Sequence, residues 1–194
     1  MKHTRVLCLI VLAFVAFLPR VSSAQDIHRL RSDLGISFAY HDPWKPAVPV
    51  ESVTIHVVNW KAKSGGLIAT CYLQQYSGGL GNLAGDEIHS SQAAIVENLL
   101  AKTADRASVV KLVSTSAVYS DGVPMIQVVV DTEIRNLDRV AKLRAWGLYT
   151  SWKGFEIHFE CGSPVFVPEA PQNLRSIIEA SVYEIFRTLH FERY

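Results

Sequence analysis

Three pairs of β-rich segments in this chain are each joined by a very short turn, and this constrains the fold more than any other feature. Connections of so few residues can only link antiparallel neighbours, because parallel strands need a long crossover. The pairs are Ser52–Trp60 with Leu67–Tyr76, Val109–Tyr119 with Met125–Ile134, and Val140–Trp152 with Phe155–Cys161. The sequence therefore predicts a mostly antiparallel sheet built from hairpins.

Two amphipathic segments interrupt this pattern of strands. Residues 86–104 carry apolar side chains on one helical face, and residues 172–189 do the same near the end of the chain. Residues 35–40 form a further short strand, and residues 25–34 are interpreted as a lead-in for which we consider a helix. Together these elements predict an α+β fold, in which helices pack on a sheet of about six to seven strands.

The turn at Lys153-Gly154 predicts the register of the last hairpin. It places Trp152 opposite Phe155, and each further pair follows by moving one residue outward on both strands. One face then carries aromatic and aliphatic side chains, whereas the other carries Glu156, His158 and Glu160. This alternation predicts a half-buried sheet whose polar face is solvated.

The first 24 residues are typical of a cleavable signal peptide. A basic start precedes the apolar run Val6–Leu18, and a small-residue stretch predicts cleavage before Gln25. The run is too short to span a bilayer comfortably, so we expect no stable membrane insertion after cleavage. The domains are thus a signal at 1–24 and one globular domain at 25–194, exported to the periplasm or secreted.

The charge of the mature domain argues against nucleic acid as a partner. The chain has 19 Lys and Arg against 18 Asp and Glu, and three of the basic residues lie in the signal segment. Export therefore leaves a slightly acidic domain, which lacks the basic surface that nucleic acids require.

Two cysteines remain in the mature domain, Cys71 and Cys161. An even number of cysteines in an oxidising compartment favours one disulfide bond. The alternative at this stage is a pair of buried free thiols on strands.

The chain resembles the PsbP/Mog1-like family of α/β/α sandwiches. The likeness is carried by the Ile36–Lys45 segment, by the central helix with the meander that ends in the Tyr149–Cys161 hairpin, and by the Thr188–Phe191 ending. The resemblance implies a protein that binds or assembles and not an enzyme. It transfers no functional residue to this sequence, and we predict no cofactor.

Two loops supply the candidate binding residues. The first is the corner at His41, Asp42 and Trp44, although Asp before Pro is also a common turn and Trp44 could fill the core edge. The second is the loop 77–85 with Gly79, Gly81 and Asn82, which we interpret as flexible. It matches a loose dinucleotide pattern, but the acidic residues that follow would repel a pyrophosphate.

A metal site is the remaining candidate. Glu156, His158 and Glu160 share one strand face, and carboxylate with imidazole suits a divalent cation. Alternate residues on a strand are about 7 Å apart, so one ion could not reach all three, and the simpler interpretation is a solvated face.

The sequence contains no nucleophile motif of the Gly-x-Ser-x-Gly type. The function we predict is therefore an exported non-enzymatic binding or assembly module that acts on a protein partner or an envelope component. The alternatives are a small exported hydrolase with a site near His41, Asp42 and the loop 77–85, or a metal-binding accessory protein.

Overall fold

A computed structural model describes residues 26–83, 85–136, 139–164 and 172–193. The predicted signal peptide at 1–24 and most of the predicted loop at 164–171 lie outside these ranges.

Within the described ranges the main sheet has seven strands, and every neighbouring pair is antiparallel. This confirms the predicted fold class and follows from the short hairpin turns. In spatial order the strands are β3 (Trp44–Ala47), β4 (Thr54–Lys61), β5 (Leu67–Ser77), β9 (Phe155–Ser163), β8 (Arg139–Trp152), β7 (Val123–Asn136) and β6 (Val109–Ser120).

A second, three-stranded sheet joins the two ends of the described chain. It consists of β2 (Ile36–Tyr40) between β1 (His28–Arg31) and β10 (His190–Phe191). The helix considered for residues 25–34 is therefore wrong. Leu30 pairs with Phe38 across a tight turn in which Gly35 has a φ of 74°, a conformation that glycine adopts readily.

The helices differ from the prediction mainly at one break. The segment predicted as one helix at 86–104 forms α1 (Glu87–Ser90) and α2 (Gln92–Ala104), with a 3-10 turn (Gly79–Asn82) before them. The break falls at Ser91, whose ψ of 6° leaves the helical range. The last helix, α3 (Gln172–Arg187), ends two residues before the predicted Leu189.

The helices lie on opposite faces of the main sheet, as strand alternation in β7 shows. Met125 and Val129 pack in a core with α3 and the small sheet, whereas Ile126 and Val128 pack with α1, α2 and the 3-10 turn. The predicted α/β/α sandwich is thus observed, and both faces of the sheet are covered.

The predicted disulfide is present. Cys71 on β5 pairs directly with Cys161 on β9, and an S–S bond joins their buried side chains. The alternative of two free thiols is therefore wrong. The bond connects two central strands that lie 90 residues apart in sequence.

The predicted register of the last hairpin is confirmed at each pair. Residues that alternate along β8 and β9 therefore face the two layers in turn. The pairs are Trp152 with Phe155, Ser151 with Glu156, Thr150 with Ile157, Tyr149 with His158, Leu148 with Phe159, Gly147 with Glu160 and Trp146 with Cys161.

Candidate functional site

The face of β9 that carries Glu156, His158 and Glu160 is buried, which corrects the prediction of a solvated surface. Their side chains are only 10%, 10% and 21% exposed. The 3-10 turn covers this face, and the backbone N–H of Leu80 donates a 3.0 Å hydrogen bond to the Glu156 carboxylate. Burial follows from a turn far away in sequence, which the strand pattern alone does not reveal.

His158 lies between the two carboxylates. Its Nε2 is 2.5 Å from Glu156 Oε1, and its Nδ1 is 3.5 Å from Glu160 Oε1. Because both acceptors are carboxylates, the arrangement favours an imidazolium that carries a proton on each nitrogen. The rings of Tyr76 and Tyr149 enclose it, with centroids 4.7 and 4.8 Å away.

Tyrosine hydroxyls complete the hydrogen bonding of Glu160. Tyr72 donates to Glu160 Oε2 at 2.8 Å, and Tyr149 also donates to this carboxylate. Tyr149 fits there because Gly147 has no side chain: a Cβ at that position would lie 2.3 Å from the tyrosine oxygen. We call Glu156, His158, Glu160, Tyr72 and Tyr149 the buried polar cluster.

Burial and hydrogen bonding act in opposite directions on the ionisable groups of this cluster. Burial by itself would lower the pKa of His158, but its bonds to Glu156 and Glu160 outweigh this effect and raise the pKa above 6.5. Burial would raise the pKa of each glutamate, yet the hydrogen bonds that they accept lower it below 4.5. Burial raises the pKa of both tyrosines, so their hydroxyls stay protonated as donors.

These directions predict a stability optimum in mildly acidic solution. The contribution of His158 to the free energy of unfolding is complete below the pKa of about 6.5 that it has in the unfolded chain. This contribution is lost as pH rises through the higher pKa of the folded protein. The contribution of the glutamates is present above about pH 4.5 and is lost as pH falls through their lower folded pKa values. We therefore expect the free energy of unfolding, measured in urea, to fall on either side of about pH 4.5–6.5.

The matched control for this pH dependence is His158→Gln, which keeps a hydrogen-bonding side chain but cannot titrate. We expect the free energy of unfolding of this variant to decline much less above about pH 6.5 than that of the unsubstituted protein. An equally steep decline in the variant would assign it to other groups.

Metal binding at this cluster finds no support in the geometry. Among the described residues, no group of three His, Cys, Asp or Glu side chains is placed to hold a metal ion. Both nitrogens of His158 face carboxylates, so the residues predicted as ligands bind one another. The cluster fixes the 3-10 turn to the sheet.

The predicted flexible glycine loop is a packed turn, which is a second correction. Gly81 is buried, and its carbonyl accepts a 3.1 Å hydrogen bond from Ser151 Oγ. A Cβ on Gly79 would lie 1.9 Å from Glu156 Oε2, and one on Gly81 would lie 2.6 Å from the Gly154 carbonyl oxygen. Both glycines are thus explained by close packing, while Asn82 is exposed beside them.

A substitution at Gly81 tests this packing. Gly81→Ala would push a methyl group into the backbone of the β8–β9 turn, so we expect a loss of about 1–3 kcal/mol in the free energy of unfolding. Gly66→Ala is the control, because a Cβ there meets only Ser64 Oγ at 3.9 Å. Equal effects of the two substitutions on urea unfolding would contradict the packing argument.

The corner at His41 lies on the other face of the sheet. His41 Nε2 is 3.2 Å from Glu184 Oε2 on α3, and Asp42 pairs with Lys45. Trp44 is fully buried, and its Nε1 donates a 2.7 Å hydrogen bond to Ser181 Oγ. Trp44 is therefore a core residue, and the structure does not bring this corner together with Gly79, Gly81 or Asn82.

The two edges of the main sheet differ in their protection. The β3 edge is only four residues long and contains Pro46, which cannot donate a backbone hydrogen bond. The β6 edge is 12 residues long, has no proline and carries one charge, Lys111. A β-bulge at Val113, which has no partner on β7, interrupts it, and Gln92 of α2 donates a 3.1 Å hydrogen bond to Thr115 Oγ1 on it.

Apolar side chains are exposed along this unprotected edge. On β6 they are Val109, Leu112, Val113 and Tyr119, and the neighbouring strand β7 adds Ile134. None of these residues was a predicted binding residue. The signal in the sequence is the run of twelve residues with a single charge, but its position at an edge depends on the strand order.

Comparison with known proteins defines the fold class. No family model matches the chain, and no curated protein matches its sequence. The solution structure of PsbP from the cyanobacterium Synechocystis is similar, with a TM-score of 0.57 and 12% identity over 89% of this chain and 96% of that chain. The chain therefore has a PsbP-like fold.

A second solved structure is similar to this chain at the same sequence identity. LpqN of Mycobacterium tuberculosis, described as involved in cell envelope biogenesis, has a TM-score of 0.51 and 12% identity over 87% of this chain and 92% of that chain. At this identity the likeness extends to the fold alone. No helix within the described ranges is both long and apolar enough to cross a membrane.

Proposed function

We propose that this protein is an exported, non-enzymatic binding module that holds a protein partner or an envelope component along the β6 edge of its sheet. The observation that carries the proposal is the unprotected edge itself. An exposed strand offers unpaired backbone N–H and C=O groups to an incoming extended segment, which adds to the sheet as a further strand.

The contrast between the two edges supports this role. Proteins ordinarily shield a long edge with proline, charge or a short strand, as β3 does with Pro46 and Lys45. The β6 edge leaves Val109, Leu112 and Tyr119 exposed instead. Exposed apolar groups on a sheet edge favour aggregation unless they have a partner, so an unprotected edge points to binding.

Two further observations agree with an exported module. The Cys71–Cys161 disulfide persists in oxidising compartments, and the segment 1–24 is predicted to direct export. LpqN, which has the same fold, is described as involved in cell envelope biogenesis, and an envelope partner is consistent with that description.

The geometry gives the alternative functions less support. The hydrolase interpretation needs His41, Asp42 and the loop 77–85 at one site, yet His41 contacts α3 on one face and the 3-10 turn covers the other. The metal interpretation needs free ligands, whereas Glu156, His158 and Glu160 are engaged with one another.

Site-specific photo-cross-linking in the host tests the proposal. A photoreactive side chain at Thr115 on the β6 edge is expected to give a defined cross-linked species, to be identified by mass spectrometry. The same group at Lys45 on the β3 edge is the matched control, because Lys45 is also exposed on an edge strand. The same pattern from both positions, or none from Thr115, would overturn the proposal.

A further inference from the structure

We infer that the groove between α2 and the 3-10 turn binds a small linear carboxylate, with its anionic head at Lys102 and its aliphatic chain along Ile95. The groove has a volume of about 240 Å³, which is smaller than the pockets of drug-sized ligands and suits a molecule of few atoms. None of the described residues that line it belongs to β6, so this site is separate from the edge and does not depend on the proposed function.

The walls of the groove are apolar. Ile95 and Leu99 lie one turn apart on α2, and Leu80 and Leu83 lie opposite them, in the 3-10 turn and directly after it. Leu80, Leu83 and Leu99 are only partly buried, so part of their apolar surface remains open. An aliphatic chain in the groove would remove this surface from water, which is favourable roughly in proportion to the area covered.

Two polar side chains of α2 lie at one end of the groove. Asn98 and Lys102 are four residues apart, so they are neighbours on the surface of the helix. Within the described ranges, neither side chain has a hydrogen bond or an ion pair with another residue. An ammonium and an amide are therefore both available to one carboxylate, and a hydrogen bond between charged groups is stronger than one between neutral groups.

The Glu156 carboxylate sets the orientation of the ligand. It is nearly buried at the base of the groove, where the N–H of Leu80 and Nε2 of His158 already bind its two oxygens. Like charges repel more strongly where water is excluded, so a ligand carboxylate is disfavoured at the base. It is favoured on the solvent side beside Lys102, and the aliphatic chain then lies inward.

The spacing along α2 sets the length of the chain. Ile95 and Lys102 are seven residues apart, which corresponds to about 10 Å along a helix. An extended aliphatic chain advances roughly 1.25 Å per carbon, given C–C bonds of about 1.5 Å. An acid of about eight carbons therefore reaches from one residue to the other, and octanoate is the probe that matches the groove.

Titration of the isotope-labelled exported protein with octanoate, followed by amide NMR shifts, tests the site. We expect saturable shifts at Leu80, Ile95 and Leu99, with a dissociation constant of about 5 mM or tighter. Butyrate has the same head but a shorter chain, so it should bind at least about tenfold more weakly. The absence of a saturable shift at these amides, at several times the expected constant, would overturn the inference.

A pair of neighbouring alanines tests the location. Ala94 lines the groove, so Ala94→Phe would fill it with a ring, whereas Ala93→Phe places the same ring on α2 outside the groove. Both alanines are exposed, so neither substitution disturbs the core. We expect Ala94→Phe to weaken octanoate binding at least about tenfold and Ala93→Phe to leave it unchanged. Equal affinities of the two variants would overturn this location.

Replacing the cation tests the head of the ligand. Lys102→Gln should weaken octanoate binding about fivefold, which is the effect of losing one exposed ion pair. Octan-1-ol has the same chain without a charge, so it should bind this variant and the unsubstituted protein equally. Lys61→Gln, at an exposed position on β4, is the control and should change neither affinity. Equal octanoate binding by Lys102→Gln and the unsubstituted protein would overturn the assignment of an anionic head.

Discussion

Replacing Cys71 and Cys161 together with alanine is expected to lower the free energy of unfolding by about 4–5 kcal/mol. The bond closes a loop across 90 residues, and opening a loop of this length restores conformational entropy to the unfolded chain. Native contacts should change less, because both side chains are small and lie at directly opposite positions of β5 and β9. A loss of this size is a large part of the total stability of an ordinary domain.

Urea unfolding of the oxidised protein, the reduced protein and the double variant measures this effect. We expect the reduced protein and the variant to unfold at similar urea concentrations, well below the oxidised form. Adding reductant to the double variant should not change its unfolding further. This measurement controls for effects of the reductant other than breaking the disulfide. A double variant as stable as the oxidised protein would show that the unfolded chain gains little freedom when the bond is lost.

Removing Glu160 is expected to have the second largest effect, about 3 kcal/mol of destabilisation for Glu160→Ala. The substitution leaves the Tyr72 and Tyr149 hydroxyls and one nitrogen of His158 without their acceptor. Removing one partner of a buried ionic pair typically costs about 3–5 kcal/mol, because the remaining groups stay desolvated and unpaired.

Two comparisons make this prediction specific. Glu97→Ala removes the same atoms from the exposed face of α2 and should change the free energy of unfolding by less than about 0.5 kcal/mol. Glu160→Gln keeps the shape but removes the charge, so an intermediate loss is expected, together with a weaker pH dependence because His158 loses an anionic partner. Equal effects of Glu160→Ala and Glu97→Ala would contradict the role of the buried polar cluster.

The hairpins were predictable because their signals are local. Lys153-Gly154 sets the register of β8 and β9, and φ values of 50° and 81° at these residues show the turn conformation that such a pair allows. The same reasoning placed Cys161 on the strand that carries the hairpin core. Its bond to Cys71 was predicted only from the even number of cysteines and the oxidising compartment. No local pattern shows that β5 and β9 are neighbouring strands.

The candidate site was harder to predict, because its burial depends on residues far away along the chain. Alternation in β9 correctly placed Glu156, His158 and Glu160 on one face, but it assigned that face to solvent. Leu80, which is 76 residues from Glu156 in sequence, lies over the face and donates to its carboxylate. The glycine content of this segment predicted a flexible loop. In the structure, Gly79 and Gly81 instead allow the 3-10 turn to pack closely against β9, because they have no side chains.

The sequence by itself determined the strands of the three hairpins, the register of the last one and the closing helix, because turn chemistry and side-chain periodicity act over a few residues. The tertiary structure alone decided which polar residues are buried and which strand lies at the edge. β6 is exposed because no strand of the described residues lies beyond it in the main sheet. Burial and edge position are properties of the assembled sheet, so they depend on contacts that no local pattern encodes.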